Sequence, residues 1–200
     1  TVIPYHVSLW KNLARMIGLL NPFRGKYDML LMGDYRLTSN RMEYVPLVKS
    51  GGEIVYLDDG AYVDAETMKY RLESYIRQML EFCQTNYPGV VYCWDVVNEC
   101  VEVSDNEKES GWRCRTSGNS PEGTNQWYDI LGYEYVELAF TYARKYAADG
   151  VALVYNDYNS WDSTKMFYIY ELMEYLKERG LVDALGMQCN LSVDTNLLDV

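Results

Sequence analysis

Three places in the sequence set amide and carboxyl side chains directly behind an apolar run. Asn98 and Glu99 follow "VYCWDVV", Asn156 and Asp157 follow "VALVY", and Gln188 and Asn190 flank Cys189 behind "ALGM". An ionised carboxylate taken out of water without partners is costly, so such a group must be compensated or used. A carboxyl held close to apolar surroundings keeps its proton to higher pH and can act as a general acid. Metal chemistry has no comparable support. The five cysteines (83, 93, 100, 114 and 189) form no CxxC pair, and the sole histidine, His6, is far from them, so no metal site is expected. An odd count leaves at least one thiol unpaired within a single chain, and the cysteines are read as mainly free.

The elements that must position these groups can be read from periodicity. Met68, Leu72, Tyr75, Ile76, Met79, Leu80 and Cys83 make the apolar stripe of a helix over 64–83, with Asp64 placed as its N-cap. "NYPG" breaks the chain at 86–89, and the first apolar run follows as a buried strand. A polar stretch over about 104–125 is longer than most connections in a compact domain, and long ordered loops tend to be functional. A second helix is expected over 126–148, from Ile130, Leu131, Val136, Leu138, Ala139, Tyr142, Ala143 and Tyr146. Gly150 then opens the strand "VALVY". Ser163 to Arg179 reads as a third helix stopped by Gly180, and "LVDALGMQC" as a third strand. Alternating helices and apolar strands imply an α/β architecture with a parallel sheet. All three polar sets then fall at the C-terminal ends of strands, on one rim. That is where chemistry sits in open α/β sheets and in closed (β/α)8 barrels alike. No glycine-rich phosphate loop follows any strand, so the nucleotide-binding version lacks its usual cradle.

Composition narrows the partner. The chain has 200 residues and a formal net charge of −11, from 29 acidic against 18 basic side chains, which argues against nucleic acid or an anionic membrane. Tyr (20) and Trp (5) far outnumber Phe (4), so most rings carry a polar edge as well as a flat face, which suits stacking on sugars. Half-buried tyrosines in an ordinary core would give the same count. No apolar run approaches a membrane span, and the first twenty residues lack a signal peptide's pattern.

"WDVVNE" (94–99), with "YVDAETMKYRLESYIRQMLEFCQTNYPGVVYC" before it and "LVYNDYN" and "ALGMQC" after it, closely resembles the family 10 glycoside hydrolases, the endo-β-1,4-xylanases. The resemblance covers 56–200 as a partial catalytic domain; residues 1–55 form a divergent segment with no place in it. It implies a (β/α)8 TIM-barrel, incomplete over these residues, that cleaves xylan or xylo-oligosaccharides with retention and without a cofactor. It implies Glu99 as general acid/base and Asn98 as the partner of the sugar 2-hydroxyl. Tyr158 and Asn159 would line the leaving-group side, the Tyr ring serving as a platform, and Gln188 and Asn190 would bind substrate. A secreted location is implied too.

Departures from the family pattern qualify these expectations. The pattern's nucleophile is a Glu on a seventh strand, which does not occur before Val200, so it is expected outside this chain. The 200 residues alone are expected to be inactive, and an unclosed sheet to self-associate or fold only partly. Asp157 or Asp194 would be the substitute nucleophile were the chain active alone. The third-strand pattern has only a weak echo in "HVSLWK" (6–11), and Asn190 stands where the pattern has His. Asp95 is read as a structural carboxylate; Asp157 stays open between scaffolding and substrate contact. Two rival readings remain: an inactive xylan-binding remnant, and a retaining glycosidase acting on another β-linked glycan.

Overall fold

The computed structural model describes residues 25–28, 48–50, 53–55, 64–103, 111–116 and 125–189. Asn190, Asp194 and the "HVSLWK" echo lie outside them. In chain order the elements are β1 (Gly25–Asp28), β2 (Val48–Ser50), β3 (Glu53–Val55), α1 (Ala65–Asn86), β4 (Val91–Asn98), α2 (Gln126–Leu131), α3 (Glu134–Tyr146), β5 (Ala152–Tyr158), α4 (Ser163–Glu178) and β6 (Ala184–Gln188). β1, β4, β5 and β6 form a four-stranded sheet in that order, and all three pairings are parallel. β2 and β3 pair separately as an antiparallel ribbon.

The expected helix begins where its cap predicts. Asp64 accepts a hydrogen bond from the Thr67 N–H at 2.7 Å, and that bond holds its carboxyl below the usual carboxylate range. Met68, Leu72, Ile76, Met79, Leu80 and Cys83 form the buried face of α1, each worth roughly 1.5–3 kcal/mol where an apolar side chain is fully buried. The Tyr87 N–H closes the last turn on the Cys83 carbonyl, and Gly89, at φ +73°, turns the chain into β4.

The single helix expected over 126–148 is two. Gly132, at φ 60° and ψ −148°, ends α2 and lets the chain change direction before α3. The helical period of the apolar residues spans the break, which is why sequence alone merges the two. Tyr135 and Phe140 join Val136, Ala139 and Ala143 in the core, while Leu138, Tyr142 and Tyr146 are only partly buried. α1 and α3 pack together, and Lys145 and the Tyr146 hydroxyl both reach Glu73 at 2.7 Å across the seam.

β4 and β5 are buried along almost their whole length, with Trp94, Val97, Leu153 and Tyr155 at the centre of the core. Such near-continuous burial is what a parallel sheet covered by helices demands. β6 differs, since Leu185 and Met187 are exposed. α4 buries Ile169, Leu172 and Leu176 and leaves Met166, Phe167 and Tyr170 outside. Cys83, Cys93, Cys100 and Cys114 are buried and Cys189 is exposed, and none is joined in a disulfide. Burial pushes the Cys83 thiol up to about 12 and Cys100 well above its ordinary value, so neither is a ready nucleophile.

Candidate active site

The register of the sheet brings the expected residues together. Asn98 pairs with Asn156 across β4 and β5, and Tyr158 pairs with Gln188 across β5 and β6. The Asn98 Oδ1 accepts from Asn156 Nδ2 at 2.6 Å and from Gln188 Nε2 at 2.9 Å. The same Gln188 amide donates to Glu99 Oε1 at 2.8 Å, so one side chain ties the Asn to the Glu. The Asn98 Nδ2 has no hydrogen-bond partner among the described residues.

Two local features create this arrangement. Glu99 leaves β4 at φ 54°, a left-handed conformation that a residue with a Cβ adopts at a cost of about 1–2 kcal/mol. Its N–H still donates to the Asn156 carbonyl at 2.8 Å, so the backbone stays anchored while the carboxyl is re-aimed over the rim. Gly186 lies opposite Asn156, and a Cβ there would stand 2.5 Å from the Asn156 Oδ1. Only glycine lets the Asn156 side chain occupy that space and reach Asn98.

Asp157 has a different setting. It is fully buried, its Oδ1 accepts from Lys165 Nζ at 2.7 Å and from the Tyr158 N–H at 2.8 Å, and its Oδ2 accepts from the Tyr155 hydroxyl. The Tyr155 oxygen in turn accepts from the Val101 N–H at 3.0 Å, so this buried network props the segment just past Glu99. Burial raises the Asp157 carboxyl above its ordinary value, and outweighs the Lys165 ammonium and the hydrogen bonds that act the other way. With both oxygens engaged inside the protein, Asp157 is built as scaffold. Asp95 is also buried, at 1% exposure on β4.

Tyr158 is half-buried, with the Lys165 ammonium 3.3 Å from its ring centroid and Arg115 Nη2 donating to its hydroxyl at 2.9 Å. The Arg115 guanidinium also approaches this ring, 5.7 Å from its centroid, so Tyr158 is held between two cationic side chains and its hydroxyl bond. Asn159 stands apart. It is exposed, sits at φ 50°, and takes part through its carbonyl, which accepts from the Asp162 N–H at 3.0 Å.

Sequence reading missed Arg115 and Lys165. Lys165 shares the spacing of Ile169, Leu172 and Leu176, so a lysine on an apolar helical stripe was the available signal. Arg115 is carried by the segment 111–116, which an isolated antiparallel bridge between Val101 and Cys114 lays beside Glu99. Its guanidinium nitrogens lie 3.8 Å from Glu99 Oε2 and 3.8 Å from Glu102 Oε2. Burial opposes its charge, yet Tyr158, Glu102, Glu99 and Asp157 together leave the guanidinium more basic than usual.

Parallel strands that deliver an Asn–Glu pair and a bridging Gln to one rim have close counterparts. The chain belongs to glycosyl hydrolase family 10, whose family model matches residues 56–199. It is 52% identical over 137 residues to a putative endo-1,4-beta-xylanase of Caldicellulosiruptor saccharolyticus, covering 68% of this chain and 40% of that one. It is 37% identical over 145 residues to endo-1,4-beta-xylanase A of Thermotoga neapolitana, covering 72% of this chain and 12% of that one. The chain thus spans well under half the length of these curated relatives. Among solved structures, it resembles the N-terminal endo-1,4-beta-D-xylanase 10B of Clostridium thermocellum in complex with xylohexaose. That match has a TM-score of 0.63 at 38% identity over 70% of this chain and 28% of that one. An endoxylanase of the family from a sugarcane soil metagenome shares the fold over 95% of this chain and 47% of its own, with a TM-score of 0.67 at 22% identity.

Proposed function

We propose that the protein carrying this chain is a retaining endo-β-1,4-xylanase in which Glu99 is the general acid/base. The observation that carries the reading is the Gln188 amide, which bridges Asn98 Oδ1 and Glu99 Oε1 at the rim of the sheet. β1, β4, β5 and β6 are then four neighbouring staves of a (β/α)8 barrel, whose remaining strands lie outside the described residues. Retaining hydrolysis uses a protonated carboxyl that gives its proton to the leaving oxygen and an ionised carboxylate about 5–5.5 Å away as nucleophile. Glu99 supplies the first; the resemblance puts the second on a seventh strand.

Asn98 has its carbonyl oxygen engaged twice within the protein, which leaves the Nδ2 to donate to a sugar hydroxyl close to the scissile bond. Gln188 holds both groups in place. The half-buried Tyr158 and the exposed Asn159 extend the site on the side of β5. Xylo-oligosaccharides bound in solved relatives, including the xylohexaose complex, support β-1,4-linked xylose as the substrate.

The test is Glu99→Ala in the full-length protein, assayed on two substrates. Xylan has a poor leaving group that needs protonation, so its hydrolysis is expected to fall by about 10²–10⁴-fold. An aryl xyloside with a phenolate that leaves unaided is expected to lose far less in the glycosylation step. Equal losses on both would sink the assignment of Glu99 as proton donor.

A further inference from the structure

We infer that Tyr155 is a positioning residue for Glu99: its buried hydroxyl clamps the Val101 N–H and so holds the backbone turn that aims the Glu99 carboxyl over the rim. The inference rests on the reading of Glu99 as acid/base, and goes further by naming the side chain that keeps it aimed.

The turn needs a clamp because it is strained. Glu99 sits at φ 54°, where a residue with a Cβ is disfavoured, so a freed backbone would relax and swing the carboxyl off Gln188. Three fastenings oppose that relaxation, one at each successive residue. The Glu99 N–H donates to the Asn156 carbonyl at 2.8 Å, the Cys100 carbonyl accepts from the Arg115 N–H at 2.7 Å, and the Val101 N–H donates to the Tyr155 hydroxyl oxygen at 3.0 Å. The first two join backbone to backbone. Tyr155 supplies the one made by a side chain.

The register explains why a side chain is required there. Val101 is bridged to Cys114, and the bonds to that segment run through its neighbours, from the Arg115 N–H to the Cys100 carbonyl and from the Glu102 N–H to the Arg113 carbonyl. In an antiparallel pair the residue between two such bonds turns its own N–H away from the partner. The Val101 N–H therefore points inward from a residue that is 0% exposed, where water cannot take over the bond. Tyr155 is as fully buried, and its own proton goes to Asp157 Oδ2, which leaves the hydroxyl lone pairs for Val101. Burial, with Cys100 and Asp157 beside it, pushes the Tyr155 hydroxyl well above its ordinary value, so it keeps the proton that Asp157 accepts. Tyr155 thus acts on Glu99 through the backbone two residues further on.

The test uses the full-length protein and two variants. Tyr155→Phe removes the hydroxyl alone. An ester in place of the amide between Cys100 and Val101, introduced as the α-hydroxy acid by nonsense suppression, removes the N–H and leaves Tyr155 and Asp157 in place. It carries the test if Tyr155→Phe does not fold. In both, kcat/KM on a xylo-oligosaccharide is expected to fall about 10–100-fold, through kcat with KM near wild type, because a misaimed acid fails in the transition state and not in binding. On an aryl xyloside whose phenolate leaves unaided, kcat/KM is expected to change by less than about threefold. A merely structural lesion would lower both substrates together. Hydrogen exchange at the Val101 amide, read by ¹⁵N NMR, reports the clamp without turnover, and Tyr155→Phe is expected to speed it by about tenfold or more. Both substrates falling alike, or neither moving, while Glu99→Ala keeps its leaving-group dependence would overturn the inference. Faster exchange at Val101 in a protein whose Glu99→Ala shows no such dependence would uphold the clamp and reject Glu99 as the acid/base.

Discussion

Glu99 and Asp157 sit at the ends of neighbouring strands, and each carries a carboxyl beside an asparagine, yet the protein treats them differently. Asp157 is sealed in, with Lys165, the Tyr155 hydroxyl and the Tyr158 N–H filling both its oxygens. Glu99 is bonded through one oxygen by a neutral amide and faces a guanidinium through the other without a hydrogen bond. A fully buried carboxyl with both oxygens bonded inside the protein is shut off from a ligand, whereas one at the rim with an oxygen free of hydrogen bonds is not. The pair shows that residue type at a strand end marks a candidate, and that the partners decide its use. The two are also linked, because the network around Asp157 supports the backbone just past Glu99 through Tyr155 and Val101.

The largest effect should come from breaking the sealed member. Asp157→Asn leaves the Lys165 ammonium buried without an anion, and should cost about 3–5 kcal/mol in urea unfolding. Adding Lys165→Met should recover much of that loss. Glu99→Gln should cost no more than about 1 kcal/mol, as befits a group that keeps a similar shape and a site near solvent. Similar losses for Asp157→Asn and Glu99→Gln would erase the contrast.

A smaller effect is expected at the joint between the two asparagines. Gly186→Ala puts a Cβ against Asn156 and should cost about 1–3 kcal/mol, as overpacking does. It should also lower kcat, since Asn156 can no longer orient Asn98. Full activity in a stable Gly186→Ala protein would show that Asn98 needs no such support.

The pH dependence of stability gives a subtler test. Burial raises the Asp157 carboxyl above its ordinary 3.8, so the folded protein binds that proton more tightly than the unfolded chain does. The contribution is therefore greatest below the unfolded value and is lost as pH rises through the folded one. Unfolding measured across this window should slope downward for wild type in comparison with an Asp157→Asn, Lys165→Met double variant. An opposite slope would mean that the Lys165 pairing, and not burial, governs Asp157.

Much of this arrangement was legible in the sequence. Asn98, Glu99 and Gln188 could be placed together because apolar strands in a parallel sheet deliver their last residues to one rim, and the Asp64 cap could be placed because its bond is local. What escaped depends on long-range packing. Arg115 reaches the rim through a bridge between Val101 and Cys114 that no periodicity encodes. The split between α2 and α3 was hidden because Gly132 interrupts the backbone and not the apolar pattern. Lys165 was overlooked because its buried partner, Asp157, lies on a different element.

The left-handed turn at Glu99 has a consequence for anyone engineering this protein. At φ 54° the backbone would rather carry glycine, so Glu99→Gly should be more stable than Glu99→Ala by about 1 kcal/mol. A library sorted for thermal tolerance or expression alone would drift toward glycine at this position and, on the role proposed for Glu99, return robust, inert proteins. Directed evolution of this scaffold must therefore keep an activity screen in every round, because its own backbone rewards the loss of Glu99.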